Sequence, residues 1–598
     1  MARRRLGVYG ENLPTKRART VQASNFQIGG IAGRFERKYN RVFEIRSPEE
    51  FQRVFGDNVI PSFYGTDAVN GFFSNIPGVD AILYVGSHVG NSGGSIDATI
   101  ASRQVQNGAP ANLFLVQPAY QGELEYGISG NRRGTRVTLE DRFATELAAD
   151  VAATGETTAT LDSVIGIRVG DIVRFDTATP AYVAVTAIDE SLNTISWVGN
   201  LGQAATTGDA VTVPGFTVRT FVKSVGGVET EVDTERGRTI CTTVPEVTEF
   251  YVENVFSDST WINVTVNQTG QSLADLLPAA DSTSVFCTGG GDGTYAATAA
   301  SWADTLQLFN DLPVRFLTNP ETSVAEVNIA GEAYCAARND TPLWIYTLPE
   351  NRSQSQLIAL GQTYQRSNDV FGVIAANWLE ITDPFATGPL APPRNVPNVG
   401  HVMGLWIRVL ARRGVHVIPG LKSEPLLGAI GVVGYQALSD IERTVVSDAG
   451  VNMIQQISGI GIVLRNAFTP STDSATQFSN GVLMRNFFKV SFVDSLQDAE
   501  NTPNSINRIR SNSNAMLQFF YRMWDVGSTG SVVTGETFGQ TEREDGTLTQ
   551  PTDHFEVRAD LVNNPQSSIN LGERNLDAYF TFPSPAGSIR IGVGILQL

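Results

Sequence analysis

Cysteine is scarce: Cys241, Cys287 and Cys335 are the only three in 598 residues, widely spaced and odd in number. That excludes a disulfide framework and a CxxC metal site, and the three read as small buried apolar residues. Histidine numbers only four. His88, His401 and His416 have no serine or cysteine nucleophile in an activated context, so packing or an interface is indicated rather than catalysis. No run of about 18 apolar residues occurs, which excludes a membrane-spanning helix. The start, MARRRLGVYGENLPTKRART, is basic but has no apolar stretch, so it is not read as a secretory signal, and an intracellular product is expected. The sequons at Asn263 and Asn267 are then chance matches. Positive charge is in deficit, with 43 Lys and Arg against 61 Asp and Glu and a net charge of -18. Phosphate would be repelled over most of such a surface, so no nucleic-acid partner is expected. The glycine-dense CTGGGDGT at 287–294 lacks the Lys-Ser/Thr pair of a phosphate loop and reads as a tight turn; no cofactor is indicated.

What is present is a folded, multidomain composition: 42% hydrophobic and 17% charged residues in a chain too long for one core. Charge is uneven. Residues 1–22 carry Arg3, Arg4, Arg5, Lys16, Arg17 and Arg19 against Glu11. That arm has a net charge of +5 and leaves -23 on the remainder. A basic arm can be drawn to a neighbouring copy's acidic body, or it can be a solvated tail.

Residues 25–33 read as a glycine-bearing strand, followed by a strand at 42–45. A helix follows, with Ser47 as N-cap, Pro48 at its first position, Glu50 completing a capping box and Gly56 ending it. A helix at 66–75 presents Ala68, Val69, Phe72 and Phe73, and 79–85 is a buried strand, giving an alternating α/β unit. From about residue 90 to 284 the composition shifts to Thr, Val, Gly, Asp and Ser. Strands are expected at 164–175, 181–188, 194–198, 216–224, 247–255 and 261–266, the middle ones forming a small barrel or sandwich at about 150–215. Helices at 301–310, 324–338 and 354–367 then alternate with strands at 343–348 and 370–379, implying a parallel pair with right-handed crossovers. A Pro-rich loop follows at 382–398, and a helix ends at about 446. Asp448 and Gly450 then signal a turn before a strand holding Ile460, Ile462 and Val463. The helix predicted at 505–525 places Ile506, Ile509, Met516, Leu517, Phe520, Met523 and Trp524 on one core stripe. Arg508, Ala515, Phe519 and Arg522 lie off it, on a face of the kind that is usually solvated. Strands are expected at 555–562, 576–582 and 588–598, the last an apolar strand with no partner after it.

Several segments, in order, resemble the contractile-tail sheath family. IGGIAGRFERKYNRVFEIRSPEEFQRVFG followed by DAVNGFFSNIPGVDAILYV resembles the first part of its core. In the second part, Gly400, His401, Gly404, Gly414, Val415 and Pro419 match one family segment. Gly450, Val451, Asn452 and Ile454, with Gly461 and Ile462, match another, and 482–496 resembles a family helix. The chain departs from the pattern at Arg412 and Arg413, which stand near a usually acidic position, and at Phe468, where an arginine is usual.

The resemblance implies an α/β (α+β) core assembled from N- and C-terminal segments, with a large β-rich inserted domain and extended terminal arms. Its divisions would be an arm at 1–22, core at 23–90, insertion at 91–284, core at 285–585 and a terminal strand at 586–598. It implies a structural subunit, not an enzyme. Copies would form a homo-oligomer of stacked six-fold rings around a tail tube protein, with baseplate and tail terminator partners, in a virion assembled in the host cytoplasm. Phage tail and other injection systems both remain open. Arm strands carrying Leu6, Val8, Tyr9 and Val21, and Ile589, Ile591, Val593 and Ile595, would add to neighbouring subunits. Arg508 and Arg522 would face the tube. The competing reading for the arms is that both ends complete their own sheet. The competing reading for the chain is a secreted or virion adhesin that binds glycans through its β-rich part.

Overall fold

The computed structural model describes residues 21–584 apart from 57–61, 92–94, 109–110, 238–244, 268–271, 351–352, 367–370, 384–391, 435–438, 501–503 and 527–533. Leu6, Val8, Tyr9, Ile589, Ile591, Val593, Ile595 and Cys241 lie outside the described residues.

The fold is mixed α/β, built on an eight-stranded sheet drawn from both ends of the described chain. Its strands are β1 (Ile28–Gly33), β2 (Val42–Ile45), β3 (Ile82–Ser87), β4 (Phe316–Thr318), β5 (Leu343–Tyr346), β6 (Gly372–Ala376), β7 (Val451–Ile457) and β8 (Gly461–Leu464), in the order β2-β3-β1-β4-β5-β6-β7-β8. Every interior pairing from β3 to β7 is parallel, and β2 and β8 close the edges antiparallel. Parallel strands must be covered on both faces, and the side-chain alternation of these strands does so. Ile31, Phe316, Leu343, Ile345, Val373 and Ala375 enter one core, while Ala32, Leu317, Trp344, Tyr346, Ile374 and Ala376 enter the other. The first core is roofed by α1 (Pro48–Phe55), α2 (Gly65–Ser74), α3 (Val399–Arg413), α4 (Ser479–Leu496) and α5 (Ile506–Val526).

Ser47 caps α1 by accepting from the Glu50 amide at 3.1 Å. The Glu50 carboxylate, however, accepts from the amide of Arg46 rather than that of Ser47, so the expected reciprocal box is displaced by one residue. No side chain of its own neighbourhood caps α2. Glu321, just after β4, does so from a distance: its carboxylate accepts from the amides of Arg34 (2.8 Å), Gly65 (2.8 Å) and Tyr64 (3.2 Å). Burial raises this carboxyl to about 7, against the downward pull of those three amides and of the Arg34 charge. A folded pKa above the unfolded value means stability that is full below about 4.5 and is lost as pH rises through 7. Glu321→Gln should therefore gain stability relative to the parent between pH 5 and pH 8, by about 1–3 kcal/mol. Parallel urea titrations at the two pH values measure it, and a constant difference would refute the assignment.

The β-rich part lies between β3 and β4 in sequence. One sheet is built on the long strands Arg133–Glu146 and Ala210–Lys223, which pair antiparallel and extend to Ile172–Phe175, Ala181–Asp189, Thr194–Trp197 and Thr158–Thr160. Its distal end encloses its own core of Leu147, Val173, Phe175, Val183, Ile195 and Trp197. A four-stranded sheet carries Arg103–Gln106, Asn112–Tyr120, Glu123–Leu124 and Ile262–Val266.

Four sequence expectations are corrected here. The run at 164–175 is a strand only over Ile172–Phe175, because Gly166 and Gly170 take positive φ and turn the chain. The run at 247–255 is helical, as Pro245–Phe250 and Val252–Val255. Tyr251 and Val255 pack at a spacing of four, a helical period that the β-branched content masked. The strand beginning at Phe555 stops at Arg558, where Asp560 accepts from the amides of Val562 and Asn563 and turns the chain. The Pro-rich loop contains a short strand, Arg394–Val396.

Candidate functional site

The core histidines are held by packing rather than set up for catalysis. His88 is fully buried, stacked on Trp302 at 4.2 Å and hydrogen-bonded to Thr305 Oγ1 at 2.9 Å. Ser301 Oγ lies 3.4 Å from its other nitrogen. Burial lowers His88 to about 3 and His401 to about 4, so both are neutral at any ordinary pH and closed to a substrate. Cys287 and Cys335 are buried, and burial raises both thiols, Cys287 to about 12. In the CTGGGDGT loop, Gly290 donates to Asn131 Oδ1, Gly291 to the Thr99 carbonyl and Thr294 to Asp97 Oδ1. Its Asp292 pairs with Lys38. No group of three or more metal-ligating side chains occurs among the described residues.

The distinctive construction is instead where the first and last described segments meet α4. Residues 22–26 run extended along the helix: the Gln22 amide donates to Ser495 Oγ (2.9 Å) and the Ser24 amide to Ser491 Oγ (3.1 Å), while the Phe26 ring meets Phe487 edge-on at 5.6 Å. The register has a simple cause. Two residues of extended chain advance about 6.6 Å and four residues of helix about 6.0 Å, so alternate residues of one find every fourth residue of the other. Ser24 Oγ adds a bond to Asp494 Oδ2 at 2.6 Å, and the Arg522 guanidinium of α5 donates to the Val21 carbonyl. Val21 itself is buried.

The last described residues pack at the opposite end of the same helix. Asn480 donates to the Pro583 carbonyl at 2.9 Å, and the Phe582 ring lies over Gly481, where an added Cβ would stand 3.0 Å from it. From Asn480 to Ser495 the helix rises about 22 Å. The first and last described segments are therefore held apart by one helix.

Against α4 and α5 also sits a two-stranded antiparallel sheet, β9 (Phe555–Arg558) with β10 (Asp577–Phe580). It rests on aromatic rings from both helices: Phe488 meets Phe580 at 4.9 Å, and Phe520 meets Phe555 at 5.2 Å. Beside β10 a groove of about 570 Å³ is lined by Phe488, Phe492, Val493, Leu576 and Phe580, with Lys489 and Arg574 on its rim.

The expected solvated face of α5 is only partly so. Ala515 and Phe519 are buried, because α4 packs on that side and brings Phe492 to 5.7 Å from Phe519. Arg508 and Arg522 are exposed, and Arg522 is engaged with Val21. The clamp on 21–26 was missed in the sequence. Its signal was present as serines at 491 and 495, one helical turn apart and in line with Phe487 on the same face.

No family model matches the chain, and no curated protein matches it. Among solved structures, the sheath tail protein Lin1278 from Listeria innocua superimposes with a TM-score of 0.52 at 11% identity, over 94% of this chain and 96% of that one. The contracted sheath complex of an extracellular contractile injection system, PVC, has a TM-score of 0.39 at 16% identity, over 51% of this chain and 77% of that one. The anti-feeding prophage baseplate structure has the same TM-score and identity, over 52% and 78%. At that level of superposition neither of the last two bears on the fold. Over 94% of its length, the chain shares the fold of a sheath tail protein.

Proposed function

We propose that this chain is the structural subunit of a contractile tail sheath, not an enzyme. Copies polymerise as stacked six-fold rings around a tail tube protein, between a baseplate and a tail terminator, as part of a virion tail or a related injection machine. The observation that carries this reading is the fold shared with a sheath tail protein over 94% of the chain. The core is the parallel sheet with its helices, 91–284 is a β-rich insertion, and 1–22 and 586–598 are arms.

The anchorage of residues 21–26 and 582–583 on α4, next to the two arms in sequence, supports a linking role for the arms. A two-stranded sheet alone is marginal in water, and strands added at its edges would complete it. An incoming strand of the SIRIGVGILQL type presents Ile589, Ile591, Val593 and Ile595 on one side, the period needed to fill the apolar groove beside β10. Leu6, Val8 and Tyr9 are the corresponding residues of the first arm, and Val21 is its buried root. Arg508 is the better candidate for a tube contact, since Arg522 already holds Val21. Contraction would be a rigid-body change in the packing of core domains, with the arms keeping the mesh connected.

Electron microscopy of the purified protein tests this. Full-length protein should form six-fold rings or tubes at high concentration. Protein lacking residues 589–598 should remain a folded, unassembled subunit with an unchanged far-UV spectrum. Compact monomers from the full-length chain would refute the function, and tubes from the truncated chain would refute the arm mechanism.

A further inference from the structure

A second cavity, of about 420 Å³, opens beside the start of α4, bounded by His416, Leu421, Lys422, Arg465, Phe478 and Asn480. Two of its buried polar side chains are incompletely bonded. His416 is 5% exposed and neither ring nitrogen has a partner. Asn480 is 1% exposed; its Nδ2 is spent on the carbonyls of His416 and Pro583, while its Oδ1 has no partner. A neutral imidazole supplies one donor and one acceptor, and the amide oxygen is an acceptor. Buried groups of this kind are ordinarily satisfied, so the pair calls for a ligand that both donates and accepts within the cavity. An extended peptide backbone does both.

The charge at the mouth selects which peptide. The Lys422 ammonium and Arg465 guanidinium form no ion pair among the described residues, and one carboxylate, Glu536, lines the same cavity. Other acids and bases lie nearby: Arg412 and Arg413 at the end of α3 are drawn to Glu424. The neighbouring aromatic rings of Phe468 and Phe478, 5.1 Å apart, give an apolar wall. The basic first arm and the SIRIGVGILQL segment have the wrong charge for this mouth. The acidic body has the right one, since the chain beyond residue 22 carries -23.

We infer that this cavity is a docking site for an extended, carboxylate-bearing segment of a second copy of the chain. Asn480 and His416 bond its backbone, and Arg465 and Lys422 pair with its acidic side chains. The inference rests on the sheath reading for its source, because in a sheath a neighbouring body must approach the point where the arm departs. It adds to that reading a contact between bodies that is independent of the arms.

Two measurements test it. Fluorescein-labelled tetraglutamate should bind the unassembled subunit, by anisotropy at low salt, at least tenfold more tightly than it binds the Arg465→Glu, Lys422→Glu variant. Both replaced residues reach solvent, and an unchanged melting temperature verifies folding. Equal binding by the two proteins overturns the site. Second, benzoylphenylalanine placed at Leu421 of the otherwise unaltered chain should, on illumination of assembled protein, crosslink to an Asp- or Glu-containing segment of another copy. Adducts only within one chain, or to a segment without acids, overturn the proposed occupant. If the chain never assembles yet binds tetraglutamate through Arg465 and Lys422, the sheath reading and the second copy fall while the acidic-peptide site stands. If it assembles and the charge-reversed variant assembles equally well, the site falls while the sheath reading stands.

Discussion

Replacing Gly400 and Gly404 together by alanine should destabilise the core by several kcal/mol, about 1–3 from each site. The reason lies in how closely α2 and α3 approach. A Cβ on Gly400 would stand 2.0 Å from the Ala68 carbonyl oxygen, and one on Gly404 2.5 Å from that of Phe72. These are backbone atoms in the middle of a helix and cannot swing aside. The approach is reciprocal: Gly71 of α2 leaves room for the His401 ring, whose Nδ1 would be 2.3 Å from an added Cβ. One turn further, Arg408 follows in the same i, i+4 row and donates to the Asn75 carbonyl at 3.1 Å, tying off the end of α2. Forcing the helices apart would therefore also draw Arg408, 1% exposed, away from Asn75 and from Glu424 at 3.3 Å. Urea or thermal midpoints should fall well below the parent's for the double variant. Gly226→Ala, whose Cβ would meet nothing nearer than 3.8 Å, should leave them unchanged. Equal midpoints for the two would mean that the helices separate without cost.

That pair of helices shows what the sequence does and does not reveal. Period and capping made Ser47, Pro48 and Gly56 readable as the limits of a helix, and the apolar runs at Leu343–Tyr346 and Gly372–Ala376 readable as parallel strands, because both signals are local. Gly400 and Gly404 were legible as a pattern but not as a contact, since their partner, α2, lies some 330 residues earlier and no local rule names it. The same limit explains Glu321, which caps a helix roughly 250 residues away, and Ala515 and Phe519, whose burial depends on α4 arriving from the side. The candidate surfaces fared similarly. Val21 and Arg522 were each singled out for separate roles, yet their bond spans the length of the chain. The helical run at 247–255 was misread for a different reason: Val and Thr favour strands only when packing agrees, and here the packing repeats every four residues.

Asn452→Ala should be the most damaging single truncation near the second edge of the sheet, costing about 3–5 kcal/mol. Asn452 is fully buried at the start of β7. Its Nδ2 donates to the carbonyls of Ile374 (2.9 Å), on the neighbouring strand β6, and of Phe468 (2.7 Å), and its Oδ1 accepts from the Phe468 amide at 2.6 Å. One side chain thus joins two strands and holds a peptide segment from both sides. Alanine would leave the partly buried amide and carbonyl of Phe468 without these partners, at about 1–3 kcal/mol each. The segment has no easy alternative. Pro470 packs where Gly450, at φ +79, has no side chain, with Pro470 Cα 2.6 Å from the position a Cβ would take. Asn466→Ala is the matched control: it removes a single 2.6 Å bond to Ser447 Oγ at a half-exposed site and should cost about 1 kcal/mol. If the two variants melt together, Asn452 is not the organising contact. The stretch around Gly450, Val451 and Asn452 is then explained by backbone geometry rather than by resemblance: Gly450 admits Pro470, Asn452 fixes the peptide of Phe468, and the Phe468 ring closes on Phe478 at 5.1 Å. At Phe468 this chain has an aromatic pair, and Asn452 holds the peptide that carries it in place.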